Sequence, residues 1–232
     1  MKIFSYHLVK TKPSSTLNAF LCPPKKNQIA GLRHAEIFAA MTLGAPILSS
    51  ARMQLHNLGV LAYWEEESDL DAFLINNELG HALSNGWHVR LKFLRRWGYY
   101  SEIDDLPANL EDTLPTKPVV AVTLARLKLP ELFRFIRWGK PVEELVRDHP
   151  GSTLALAAFR PPRTFSTFSI WQSQQLMTDM VHGEGSFPGA TRHADAMEER
   201  DRKDFHHEFI TLRFRALSEH GKWLGRSNFV PK

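Results

Sequence analysis

His193 is the residue whose type and neighbours point most directly to chemistry. It stands near the start of a helix-like segment, Arg192-His193-Ala194-Asp195-Ala196-Met197-Glu198-Glu199-Arg200. At helical spacing His193, Met197, Arg200 and Asp204 share one stripe. An imidazole held on a rigid helix and facing a cavity suits two tasks. It can be the axial ligand of a haem (heme) iron, with Met197 beside the cofactor, or a general base. The competing reading is a helix-start histidine that caps or packs and does no chemistry.

A second candidate lies downstream. In the strand-like segment 207–217, alternation separates Ile210, Leu212 and Phe214 from Phe209, Thr211 and Arg213. The first set suits a core packed under helices, the second a cavity wall with a polar handle. Leu91 and Phe93 match the first set in the N-terminal half, and Arg90 and Lys92 the second. An arginine aimed into an apolar pocket clamps a carboxylate; a solvent-facing side of the sheet is the other reading. Trp64 and Trp171 end equivalent strands, as core packing or as a pocket wall beside a cofactor. His206-His207-Glu208 resembles a metal cluster, but neighbours in a strand point to opposite faces, which argues against a shared ion. His81 holds roughly the place in the first half that His193 holds in the second. Cys22-Pro23 resembles a haem-responsive pair, a dipeptide that also arises by chance.

These residues need a scaffold, and the sequence provides the same one twice. Leu58 to Trp64 reads as a strand, Ser68 to Leu74 as a helix, and Val89 to Leu94 as a strand. Thr164 to Trp171, Gln174 to Val181 and Phe209 to Phe214 repeat that order, with a Gly-rich insert from Gly183 to Gly189 before the His193 helix. Upstream, Val119 to Leu124 is a strand, Pro130 opens a helix with Pro141 as a kink or break, and Ser152 to Ala158 is a strand. In the first half Ile3 to Val9 reads as a strand, Ala35 to Met41 as helix-like and Ile47 to Met53 as the next strand. The expectation is an α+β protein of two tandem ferredoxin-like (βαββαβ) units, their sheets packed into an α/β barrel with a cavity between them. Residues 1–104 form the N-terminal unit, 105–118 a Pro-rich acidic linker, and 119–232 the C-terminal unit carrying the site.

Bulk properties bound the function. The chain has 232 residues, 43% hydrophobic and 23% charged, an ordinary globular balance. No apolar run approaches the roughly 20 residues of a membrane span, and the N-terminus reads as a first strand, not a signal peptide. A single cysteine, Cys22, makes a reducing cytoplasm the default. The net charge of +4 is dispersed and comes with no nucleic-acid motif. Dinucleotide, P-loop and nucleophile-elbow motifs are missing, which disfavours Rossmann, NTPase and α/β-hydrolase chemistry.

The C-terminal half resembles a known family. Thr164-Phe165-Ser166-Thr167-Phe168-Ser169-Ile170-Trp171, then His193-Ala194-Asp195-Ala196-Met197, Asp204-Phe205, Leu212-Arg213-Phe214 and Gly221-Lys222-Trp223-Leu224-Gly225 look like the spheroidene monooxygenase-like branch of the dimeric α/β-barrel proteins. The likeness covers roughly residues 119–226, about half the chain. It implies a haem-dependent monooxygenase, or a related haem redox enzyme, acting on an apolar organic substrate such as a carotenoid or other natural product. His193 would ligate the iron. Arg213, or Arg160 in the turn leading into strand 164–171, would hold a haem propionate or a substrate carboxylate, and Arg213 and Trp171 would face the chemistry. The superfamily also contains cofactor-free antibiotic-biosynthesis-type monooxygenases, and a non-catalytic carrier of haem or an apolar ligand would use the same cavity. The implied partners are an apolar small molecule, an electron donor or peroxide, and a second copy of the chain through exposed edges.

Overall fold

A computed structural model describes residues 1–46, 49–184 and 189–231. The first unit runs β1 (Ile3–Lys10), α1 (Pro13–Leu21), β2 (Leu32–Met41), β3 (Gln54–Trp64), α2 (Glu67–Asn76), α3 (Glu78–Ser84) and β4 (Trp87–Tyr99). The second runs β5 (Val119–Leu127), α4 (Leu132–Asp148), β6 (Ser152–Arg160), β7 (Thr164–Trp171), α5 (Gln174–His182), α6 (Arg192–Arg202) and β8 (His206–His220). The strands close into an antiparallel barrel in the order β1-β3-β2-β6-β7-β5-β8-β4. Each unit contributes its strands in the order fourth, first, third, second, the ferredoxin-like arrangement. The units join along a long β4–β8 seam and a short β2–β6 seam that pairs Ala39 with Phe159 and Met41 with Ala157. Among the described residues no helix is long and apolar enough to cross a membrane.

Local chemistry sets the helix ends. Pro13 opens α1, where its missing N–H is no loss. The Ser173 side chain accepts from the Leu176 N–H at 3.2 Å and caps α5, which Gly183 ends at φ 75°.

Four expectations change. Ala35 to Met41 is strand, because β2 is buried on both faces. Ile37 faces helices and Phe38 faces the barrel interior, and such continuous burial reads as helix in a sequence. Residues 49–53 are bends and turns, residues 47 and 48 lie outside the described residues, and the strand resumes at Gln54. Pro141 lies inside α4, so of the expected kink or break the break does not occur. Of the Gly-rich insert, residues 185–188 lie outside the described residues.

The fourth correction concerns the cavity. The barrel interior is filled: Phe4 stacks on Tyr63 with centroids 4.3 Å apart and Tyr6 on Phe168 at 4.0 Å, with Trp87, Leu212 and Phe214 packed around them. Ile210, Leu212 and Phe214 therefore belong to the barrel core, not to a core under helices. The helices cover the outside of the barrel, and the space that could hold a ligand lies there.

Strand register identifies equivalent positions in the two units. Ile3 pairs with Trp64 as Val119 pairs with Trp171, and Ser5 pairs with Arg90 as Ala121 pairs with Arg213. Trp64 thus matches Trp171, and Arg90 matches Arg213. In the first unit the outward face is closed: Val9, Val60 and Trp64 pack against Leu70, Phe73 and Leu83 of the helices.

Candidate functional site

A cavity of ≈ 610 Å³ lies between the outer face of β5, β7 and β8 and the helices α4, α5 and α6. Residue size explains why it opens in this unit alone of the two outer faces just compared. The positions matching His7, Val9 and Val60 are Thr123, Ala125 and Thr167, and all three line the cavity. Smaller floor residues leave the helices standing off the sheet, and a space of this size suits a drug-sized or cofactor-sized ligand.

His193 lines the cavity from the first turn of α6. Its Nδ1 lies 3.0 Å from the Val181 carbonyl oxygen. A carbonyl only accepts, so Nδ1 carries the proton and donates, and Nε2 presents a lone pair. Burial holds the imidazole below its ordinary pKa, partly offset by the Val181 bond, while Arg213 and His182 push it lower still. The ring is therefore neutral at pH 7, the form that binds a metal or takes a proton. An anchored Nδ1–H with a free Nε2 is the outer-shell arrangement of metal-ligating histidines.

Arg213 lines the floor beside it, on the same face as Phe209 and Thr211 as the alternation predicts. Its Nε and Nη1 are shielded from solvent and have no hydrogen-bond partner among the described residues. Burial, with help from Arg95, pulls its pKa down to about 10. Arg95 reaches the cavity through a β-bulge. Phe93 pairs with Phe214 inside the barrel, the ladder then shifts, and Arg95 pairs with Arg213 on the outer face. Regular alternation would have kept Arg95 on the same side as Phe93; the bulge re-aims it. Trp97 lies against both guanidiniums, 4.2 Å from Arg95 and 5.2 Å from Arg213.

Met197 and Trp171 also line the cavity. Trp171 is fully buried and its Nε1–H donates to Ser169 Oγ at 2.8 Å, so it is a fixed wall. The structure places Arg160 elsewhere. It is not among the cavity-lining residues, and its Nη2 forms an ion pair with Glu36 Oε2 at 2.8 Å across the short seam. A residue at the end of β6 belongs to that seam and not to the floor. His81 is exposed on α3 and joins no site.

His206 is a cavity residue that sequence reasoning set aside. Its Nδ1 donates to Asp204 Oδ1 at 2.9 Å, and its shielded Nε2 has no partner among the described residues. Phe209 lies 4.9 Å and Phe135 5.6 Å from the ring. Burial is the main cause of a pKa near 4, against which the Asp204 carboxylate pulls upward. An Asp-oriented histidine with a free Nε2 is a proton acceptor. The signal was the Asp204-Phe205-His206 spacing; a search for two histidines sharing an ion passes over it. His207 is exposed, in agreement with the opposite-face argument.

Comparison with known proteins gives fold-level likenesses. No family model matches the chain, and no curated protein matches. Among solved structures, the chain is similar to a candidate monooxygenase from Fusobacterium nucleatum at 10% identity, covering 95% of this chain and 94% of that one with a TM-score of 0.38. It is similar to another from Lactobacillus acidophilus at 7% identity, covering 95% and 96% with a TM-score of 0.38. A haem-degrading enzyme from Listeria monocytogenes is similar at 11% identity, covering 90% and 98% with a TM-score of 0.29.

Proposed function

We propose that this protein is a haem-dependent monooxygenase or related haem redox enzyme acting on an apolar organic substrate in the α4–α5–α6 cavity. The observation that carries the reading is His193, a residue of the cavity wall anchored through Nδ1 to Val181, which leaves Nε2 as its free donor atom. Among the described residues no group of three metal-ligating side chains exists. A bare ion needs several protein ligands, whereas haem brings four nitrogens of its own and asks the chain for one. The donor set thus fits haem: one neutral imidazole, apolar walls, and unpartnered guanidinium N–H groups for its acidic side chains.

When bound, haem would supply a redox-active iron for dioxygen or peroxide chemistry. The chain's own residues do the rest. Val181 fixes the His193 tautomer. Trp171, Met177 and Phe209 shape a wall that keeps water from the substrate. His206 Nε2 accepts a proton from an acidic group of the substrate, and Asp204 holds the imidazolium that results.

The test is the absorption spectrum of the protein with added haem, beside His193→Ala. A Soret band that the variant loses or shifts is expected. A wild-type protein without one after haem addition overturns the reading.

The Asp204–His206 pair favours a second reading, cofactor-free oxygenation, in which deprotonating an electron-rich ring prepares it for dioxygen. Turnover indifferent to haem and abolished by His206→Ala would select it. Tight ligand binding without turnover would instead mark a carrier.

A further inference from the structure

The duplication provides an internal control for Arg213. Its counterpart Arg90 has both terminal nitrogens paired by α2: Nη1 donates to Glu67 Oε1 at 2.6 Å and Nη2 to Asp71 Oδ1 at 2.5 Å. Glu67 and Asp71 lie three and seven residues after Trp64. Three and seven residues after the matching Trp171 stand Gln174 and Thr178, both on the cavity wall and both neutral. The second unit keeps the arginine and lacks both carboxylates. It also adds a cation, since the β-bulge sets Arg95 directly opposite Arg213. Like charges directly opposite in a sheet repel, and buried guanidinium N–H groups without acceptors are costly. The one carboxylate among the described cavity-lining residues, Glu143, is already engaged by Arg52 at 2.8 Å and the Gly44 N–H at 2.9 Å.

We propose that Arg213 and Arg95 form the binding site for a carboxylate on an apolar ligand, in the position that Glu67 and Asp71 fill in the first unit. Trp97 holds the two guanidiniums side by side, and the apolar floor takes the body of the ligand. The carboxylate comes either from the substrate or from a propionate of bound haem. The site shares its cavity with the proposed reaction but needs no iron.

The experiment uses the purified full-length protein without added haem and two fluorescent probes, 1-pyrenebutyric acid and the uncharged 1-pyrenebutanol. The acid is expected to bind about tenfold or more tightly than the alcohol, the range of charged hydrogen bonds. Arg213→Met and Arg95→Met should each erase that preference and leave alcohol binding unchanged. The variant Gln174→Glu with Thr178→Asp restores the first unit's pairing, so it should fold at least as stably and also lose the preference. This arm decides the matter if an arginine variant fails to fold. Equal binding of acid and alcohol by the wild type, binding of neither, or a preference that survives all three changes overturns the proposal. Adding haem to the probe complex separates the sources: displacement of the acid assigns the site to propionate, and retention assigns it to the substrate. A missing Soret band in the same titration sinks the haem reading and leaves the probe result standing.

Discussion

The Val181 carbonyl oxygen sits 3.0 Å from His193 Nδ1 and so decides which nitrogen of that imidazole is basic. Val181 belongs to α5 and His193 to α6, so the packing of two helices fixes a tautomer. The expected state is protonated at Nδ1 and bare at Nε2, with a titration midpoint below the ordinary 6.5 because burial disfavours the cation. Nitrogen-15 spectra of the imidazole side chains check this. A His193 signal protonated at Nε2 at neutral pH would remove the free donor on which iron ligation depends.

Asp204 orients His206 in the same manner, with a carboxylate in place of a carbonyl. Asp204→Asn should leave the fold and any Soret band intact. If His206 transfers a proton, turnover should fall by about 10²- to 10⁴-fold, the usual worth of a positioned acid or base. The His206 midpoint should also drop, since the carboxylate is what pulls it upward against burial. Unchanged turnover would make the pair structural.

Three imidazoles stack across β1, β4 and β8, with His7 and His88 centroids 4.9 Å apart and His88 and His220 4.6 Å apart. His7 is fully buried, and burial holds it far below 6.5; burial and the neighbouring His220 bring His88 to about 4. Both are neutral in the fold and protonate near 6.5 when unfolded. The unfolded chain then binds more protons between about pH 6.5 and 4, so stability must fall as pH drops through that window. Denaturant midpoints measured from pH 7 to pH 4 should decline, and His88→Phe should flatten the slope. A flat wild-type profile would mean that the stacked imidazoles titrate in the fold as they do in the unfolded chain.

Much of this fold is legible in the sequence, because β-branched runs, Trp-ended strands and capped helices obey local rules. β2 escaped because it is buried on both faces. The Phe209, Thr211 and Arg213 set was separable by alternation, but alternation cannot say whether a face meets helices or a second sheet, so the cavity was expected on the wrong side of the barrel. Arg95 was out of reach for a different reason. A bulge at Leu94 breaks the period of two from which its direction would be inferred. His206 was visible, and an assumption that histidines matter in pairs hid it.

Arg160 and Glu36 show where a plausible site residue goes when the register places it elsewhere. Glu36 is buried on β2 and meets the Arg160 guanidinium at 2.8 Å, the Tyr100 hydroxyl at 2.5 Å and His34 Nε2 at 3.2 Å. The β2–β6 ladder is short, and this cluster is one of the ties across it, beside the Arg52–Glu143 pair. Arg160→Ala strips a buried carboxylate of a cationic partner. The expected loss is about 3 kcal/mol, at the low end for breaking a buried pair, because Tyr100, His34 and the Arg126 guanidinium at 3.8 Å remain. Ligand binding in the cavity should persist in the folded fraction, since Arg160 does not line it. Denaturation measured beside the pyrenebutyric acid titration separates the two effects. A variant of unchanged stability that no longer binds the acid would return Arg160 to the site.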